Sequence, residues 1–279
     1  GMLYAITDKE RRPMQLEFHQ VDAFATRPFT GNPAMVYRLD SWLEDGLMQQ
    51  IAAEHNLAET AFVVKEGAAW HIRWFTPTAE VPLCGHATLA SAHVLFEVYG
   101  EPGDVLDFTC LSGALRVSRA GSMLVLDFPV RRAQPCDLHA EVERMLGLPV
   151  DSVLALHEGQ GIQELLAVLP SEAAVRAYTP DLAAVATLPG LGLLISAPGE
   201  QHDFVSRYFA PSIGINEDPV TGSTHCILTP YWAQRLGKTR LSAFQCSARG
   251  GELHCELVGE RVKIAGQALL IASGRLLLG

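Results

Sequence analysis

The 279-residue chain reads as an α+β protein of two pseudo-symmetric domains, each a curled, mostly antiparallel sheet around a central helix. Three observations predict this. Landmarks recur about half a chain apart: Glu80, Pro82 and Gly85 of EVPLCGHAT return at one offset as Glu217, Pro219 and Gly222 of EDPVTGSTH. RWFTP at 73–77 returns as RYFAP at 207–211, and FTC at 108–110 as FQC at 244–246, the pattern of a duplicated unit. Short alternating segments with glycines between them form a meander in the first half. Each recurring glycine also leads into a run of small and apolar residues, 87–96 and 223–236. A helix apolar on most faces is best buried inside a sheet that wraps it.

Residues 1–13, with Gly before Met and KERRP near their end, are expected to be a tag remnant and a flexible extension. Alternation from Gln15 predicts a strand over 15–21. The stretch DAFATRPFTGNPA at 22–34 is turn-rich, with Gly31-Asn32-Pro33 as its strongest breaker, and 35–39 is strand-like. Apolar residues at 47, 48, 51 and 52 predict a helix over 45–56. The β-branched and aromatic content of 60–64 and 70–75 predicts strands, followed by the first turn and its helix. Strands over 106–111, 114–118 and 123–128 complete the first domain, 14–130, and VRRAQP marks the boundary. The second domain, 131–279, takes helices at 138–146, 171–177 and 181–186. Its strands fall at 153–156, 164–169, 192–196 and 203–209, before the second turn and helix. Strands at 241–248, 252–258, 261–265 and 268–273 close the chain, the last placed to pack back on the first domain.

Composition narrows the function. Hydrophobic residues make up 48% and charged residues 19%, a globular balance, and 21 basic against 31 acidic residues give a net charge of -10. No basic footprint for nucleic acid or an anionic membrane follows from that balance. No apolar run reaches the roughly 20 residues that span a bilayer, and no signal peptide is visible. The six cysteines form no CxxC pair, which suits a reducing cytoplasm. Histidines lack ligand spacing, and the nucleotide motifs GxGxxG and GxxxxGK[ST] are missing, so neither a metal nor a cofactor is assigned.

The two turns carry the chemistry. Unpaired N–H groups at the start of each following helix make it a ready anion site, so two such starts facing one cleft would hold a small carboxylate. Cys84-Gly85-His86 sets a thiol and an imidazole at the first, where the helix end would lower the thiol pKa and favour neutral imidazole. Asp218, Thr221, Gly222 and Ser223 occupy the second. The ordinary alternatives are caps for Asp218 and Ser223, a turn histidine for His86, a small hydrophobe for Cys84 and glycines serving geometry alone. Glu59 stands where NLAET enters an apolar strand. Asn56 followed three residues later by Glu59 could be a capping box, but 60–64 is strand-like. Burial there would raise the carboxyl pKa towards that of a group which both takes and gives a proton near neutral pH.

VDAFATRPFTGNPA, NLAETAFV, FTPTAEVPLCGHATLASAHVL and GINEDPVTGSTHC together resemble the phenazine-biosynthesis PhzF-like isomerase family, of the diaminopimelate epimerase-like fold. The resemblance implies cofactor-independent isomerisation of a small unsaturated or cyclic carboxylic acid between two similar domains, in a homodimer. It places the family's acid/base glutamate on Glu59, its supporting histidine and aspartate on His86 and Asp218, and its serine on Ser223. Gly85 and Gly222 match its substrate-binding turns. Epimerases of this fold use one cysteine per turn; Cys84 matches the first and Thr221 stands at the second. Threonine is too weak an acid for that two-way role. A Cys84-dependent racemase, epimerase or dehydratase of a proline-like acid, or a non-catalytic binder, are the alternatives.

Overall fold

The computed structural model describes residues 14–279, so the extension expected at 1–13 lies outside the described residues. The first half runs β1 (Met14–Ala23), β2 (Asn32–Leu39), α1 (Asp45–His55), β3 (Glu59–Glu66), β4 (Ala69–Phe75) and β5 (Glu80–Val81). It continues through α2 (Gly85–His93), which widens into one π-type turn, Val94–Val98, then β6 (Val105–Cys110), β7 (Gly113–Ala120) and β8 (Met123–Pro129). The second half runs β9 (Gln134–Pro135), α3 (His139–Leu146), β10 (Ser152–Glu158), β11 (Gly161–Val168), α4 (Glu172–Ala177), α5 (Leu182–Val185), β12 (Gly192–Pro198) and β13 (Phe204–Ala210). It ends with β14 (Ile215–Asp218), α6 (Gly222–Leu236), β15 (Arg240–Gln245), β16 (Gly251–Val258), β17 (Arg261–Gly266) and β18 (Ala268–Leu278).

Each half builds the same sheet. A parallel pair, β2 with β3 and β11 with β12, is followed by an antiparallel neighbour, β4 or β13. The β6–β8 and β15–β17 meanders complete the two sheets, which join where β17 pairs antiparallel with β8. The last strand, β18, pairs with β1 from Met14↔Leu278 to Ala23↔Ala268.

Side-chain alternation sorts the core. In the first half Ala34, Val36, Ala61, Val63, Ile72 and Trp74 point inward and bury α2, whose residues 85–92 are all buried. On the outer face Met35, Tyr37, Phe62 and Val64 meet Met48, Ile51 and Ala52 of α1. In the second half Leu166, Val168, Leu194 and Tyr208 face Ile227, Leu228 and Trp232 of α6. There Leu165, Ala167, Leu193 and Phe209 pack outward with Val142, Val175 and Val185 of α3, α4 and α5.

The recurring Arg and Glu landmarks are structural pins. Arg73 donates Nε and Nη2 to the two carboxylate oxygens of Glu80 at 2.7 and 2.8 Å. Arg207 does the same to Glu217 at 3.0 and 2.8 Å. Such forked, charge-assisted pairs fix direction as well as distance, so they set the β4–β5 and β13–β14 hairpins that aim both turns.

The loop from β1 to β2 crosses to the other half. Gly31 N donates to Gly250 O at 2.7 Å, and Arg249 donates to the carbonyls of Gly31 and Thr30 at 2.9 and 3.0 Å. Gly31 has φ +71°, and a Cβ there would lie 2.3 Å from Ala23 O. Gly31→Ala is therefore expected to lower stability by on the order of 3 kcal/mol, against about 1 kcal/mol for Gly121→Ala. Gly121 shares the positive φ but faces open space. Equal shifts of the two denaturant midpoints would contradict this.

Candidate active site

Both turns are delivered to one point. Cys84 and Thr221 are the N-caps of α2 and α6, with matching extended backbones (φ -147°, ψ 112° and φ -122°, ψ 110°). The helices meet head to head at their glycines: a Cβ on Gly222 would lie 3.4 Å from the Gly85 Cα, and one on Gly85 3.5 Å from the Gly222 Cα. Side chains at these positions would push the helix starts apart, so glycine lets the two sets of N–H groups converge. Ser223, one residue into α6, is half-buried, and its hydroxyl makes no hydrogen bond among the described residues.

Glu59 opens β3 on the inward face that continues through Ala61 and Val63, so its carboxyl points towards the start of α2. The capping-box alternative falls away. Asn56 is the left-handed C-cap of α1, with φ 52° and its N–H donating to Ala52 O at 3.0 Å. Glu59 is 8% exposed, and its Oε2 has no partner among the described residues. Burial pushes its pKa up to about 8, the charge of Asp218 adds to the rise, and the Cys84 thiol beside it pulls the other way.

Asp218 ends β14, buried from the opposite half. It is no helix cap. Asn32 Nδ2 donates to its Oδ1 at 2.9 Å, and the Thr221 hydroxyl donates to its Oδ2. Burial raises its pKa to about 6, while the Thr221 and Asn32 donors hold it down. Between about 6 and about 8 the Glu59–Asp218 pair therefore holds one proton and one negative charge.

Cys84 Sγ lies 3.2 Å from His86 Nδ1. The expectation of a lowered thiol pKa is corrected here: burial first, then the charge of Glu59, push it well above the usual thiol range. The helix end acts in the opposite sense but is the weaker effect against full desolvation. His86 is neutral, as the sequence predicts, although burial is the main cause, taking its pKa to about 3. The Pro33 carbonyl acts on the ring in the opposite sense, and Nε2 makes no fully aligned hydrogen bond among the described residues.

Two residues of the site escape sequence reasoning. Asn32 sits inside a motif that reads only as a turn breaker. Gln245 lies in the FQC landmark; its Nε2 donates to Asp218 O at 2.9 Å and its Oε1 accepts from Thr221 N at 2.8 Å, clamping the second turn. The repeat flagged the segment holding Gln245, but its register against the turn becomes visible only in the fold.

The duplicated halves differ at the position of Glu59. Ala34 pairs with Glu59 and Thr60 with Phe75; at the same places in the other sheet Glu164 pairs with Gly192 and Leu193 with Phe209. Gly192 thus stands where Glu59 has its counterpart. A Cβ there would lie 2.7 Å from the Tyr208 ring, which fills that space. The Tyr208 hydroxyl lies 2.8 Å from both carboxyl oxygens of Glu164.

The family of phenazine biosynthesis-like proteins, PhzC-PhzF, matches residues 21–274. The chain is 64% identical over 265 residues to an uncharacterized isomerase of Pseudomonas aeruginosa, across 95% of this chain and 100% of that one. It is 46% identical to a PhzF-family phenazine biosynthesis protein of Enterococcus faecalis of known structure, with a TM-score of 0.88 over 94% of this chain and 99% of that one. A hydroxyproline epimerase from Agrobacterium vitis shares the fold at 10% identity, with a TM-score of 0.60 over 95% and 93% of the two chains. The fold is the α+β, epimerase-like one the sequence predicts, and the chain belongs to the PhzF-like family.

Proposed function

We propose, from that membership and the site, that the protein is a cofactor-independent isomerase acting on a small unsaturated or cyclic carboxylic acid bound between its two halves. One observation carries the assignment: a carboxyl with a pKa of about 8, one oxygen unpartnered, at the point where two helix starts converge. A base poised near the working pH balances availability against driving force.

In this mechanism ionised Glu59 takes a proton from an allylic C–H. The electron pair of that bond moves into the conjugated system, shifting the double bond, with the charge shared by the substrate's own carboxyl. Protonated Glu59 then delivers the proton to the distant carbon, forming the new C–H bond and restoring the carboxylate. Ser223 and the N–H groups after Gly85 and Gly222 hold the substrate carboxylate. His86, neutral, offers its Nε2 to another polar group. Cys84 is a poor second base because its thiol is held protonated, and the Thr221 hydroxyl is committed to Asp218.

Solvent deuterium incorporation, followed by NMR in D₂O across small unsaturated and cyclic acids, tests the assignment. Exchange that needs Glu59 and survives Cys84→Ala is the expected result. Exchange that needs Cys84 instead would establish the racemase, epimerase or dehydratase reading, and binding without exchange would establish a binder. The pH profile adds a sign. Exchange should rise with pH to a plateau above about 8 as Glu59 ionises, and Asp218→Asn should move that rise to lower pH, since the Asp218 charge holds the proton on Glu59. An unmoved or higher midpoint would contradict the coupling.

A further inference from the structure

Asn32 belongs to the first half, yet both of its amide N–H groups are spent on the second. Nδ2 donates to Asp218 Oδ1 at 2.9 Å and to Val220 O at 2.8 Å. Two acceptors on one nitrogen fix which branch of the amide is which, and no hydrogen remains to turn elsewhere. The residue is fully buried, and its Oδ1 has no partner among the described residues. Asn32 lies on the inward face of β2, two residues before Ala34, whose parallel partner is Glu59. The orphaned oxygen therefore lies on the same wall as Glu59, whose Oε2 is orphaned as well. A buried acceptor left empty costs free energy unless a ligand fills it.

We propose that Asn32 is a positioning residue of this site: it reaches across the two halves to hold the Asp218 carboxylate in place, and leaves its own Oδ1 to accept a hydrogen bond from an N–H or O–H on the bound acid. This rests on the isomerase assignment only in taking the ligand to be an acid; the hold on Asp218 stands apart from turnover. Among the described residues no other side chain donates to this carboxylate across the halves: its other side-chain donor, Thr221, comes from its own half. The titratable groups that face Asp218 are Glu59 of β3, Cys84 at the first turn, neighbouring Glu217 and Tyr208 of β13.

The test is a carbon-13 NMR titration of the Asp218 carboxyl in the full chain, with the signal assigned from Asp218→Asn. Loss of a donor to a charged group should move the midpoint up by about one unit in Asn32→Ala. It should move further in Asn32→Asp, which sets a second carboxyl against the first. A purely structural asparagine would lower the unfolding midpoint of both variants and leave Asp218 unmoved, which would overturn the proposal. The acceptor is read by binding of paired 2-amino- and 2-methylcyclohexenecarboxylates. Wild type should prefer the amino member by about tenfold or more, because the methyl member leaves Oδ1 unpaired, and Asn32→Ala should lose that preference. Equal binding of the pair by wild type would overturn the acceptor role. Exchange failing on every acid while the titration behaves as expected would count against the isomerase assignment alone.

Discussion

Glu59→Gln is expected to slow solvent deuterium incorporation by about 10²- to 10⁴-fold, the usual contribution of a positioned acid/base group. The amide has the shape of the protonated carboxyl but cannot take a proton, so binding should persist while the exchange step fails. The prediction is sharpened by the surroundings. The Cys84 thiol is held protonated, His86 is held neutral with a pKa near 3, and Asp218 accepts two fixed donors, so no neighbour can substitute easily. Exchange by the variant within a few-fold of wild type would remove Glu59 from the mechanism.

The same substitution should make the protein more stable above neutral pH. In the unfolded chain Glu59 ionises near its ordinary 4.5; in the fold it holds its proton up to about 8. A raised folded pKa means that the stability it contributes is complete below 4.5 and declines as pH rises towards 8, because the unfolded chain gains by releasing the proton first. At about 1.4 kcal/mol per unit, wild type is disadvantaged at pH 8 by on the order of 4 kcal/mol relative to a residue that does not titrate. Glu59→Gln should recover most of this at pH 8 and almost none at pH 4.5, read from denaturant unfolding of both proteins at each pH. A difference between the two proteins that does not change with pH would show that Glu59 is not desolvated. Stability surrendered at a working site is the common pattern for catalytic groups.

Much of this was legible in the chain. The repeat located both turns because duplication preserves spacing, and the change from helix to strand at Asn56–Glu59 placed the carboxyl at a strand mouth. The Arg73–Glu80 and Arg207–Glu217 landmarks recur for a mechanical reason that sequence alone does not reveal: they brace the hairpins. Asn32 was hidden because its partner lies in the other half of the chain. The Cys84 thiol departs from the sequence expectation because helix polarity can be read from sequence, while the degree of desolvation depends on everything packed around the sulfur. The short strands β5 and β14 are defined by their pairing with β4 and β13 and carry no periodic signal of their own.

The glycine at 192 has a stereochemical consequence. In the proposed mechanism Glu59 is the one group that takes and returns the proton, so the departing and arriving protons use the same face of the substrate and the shift should be suprafacial. The proton lifted from the first carbon also stays with the base until it is delivered or escapes to water. Part of a deuterium label placed at the first carbon should therefore reappear at the second when the reaction is run in ordinary water. Complete loss of that label together with transfer to the opposite face would require a second base, and the second half, with Gly192 under the ring of Tyr208, has left no room for one at that position.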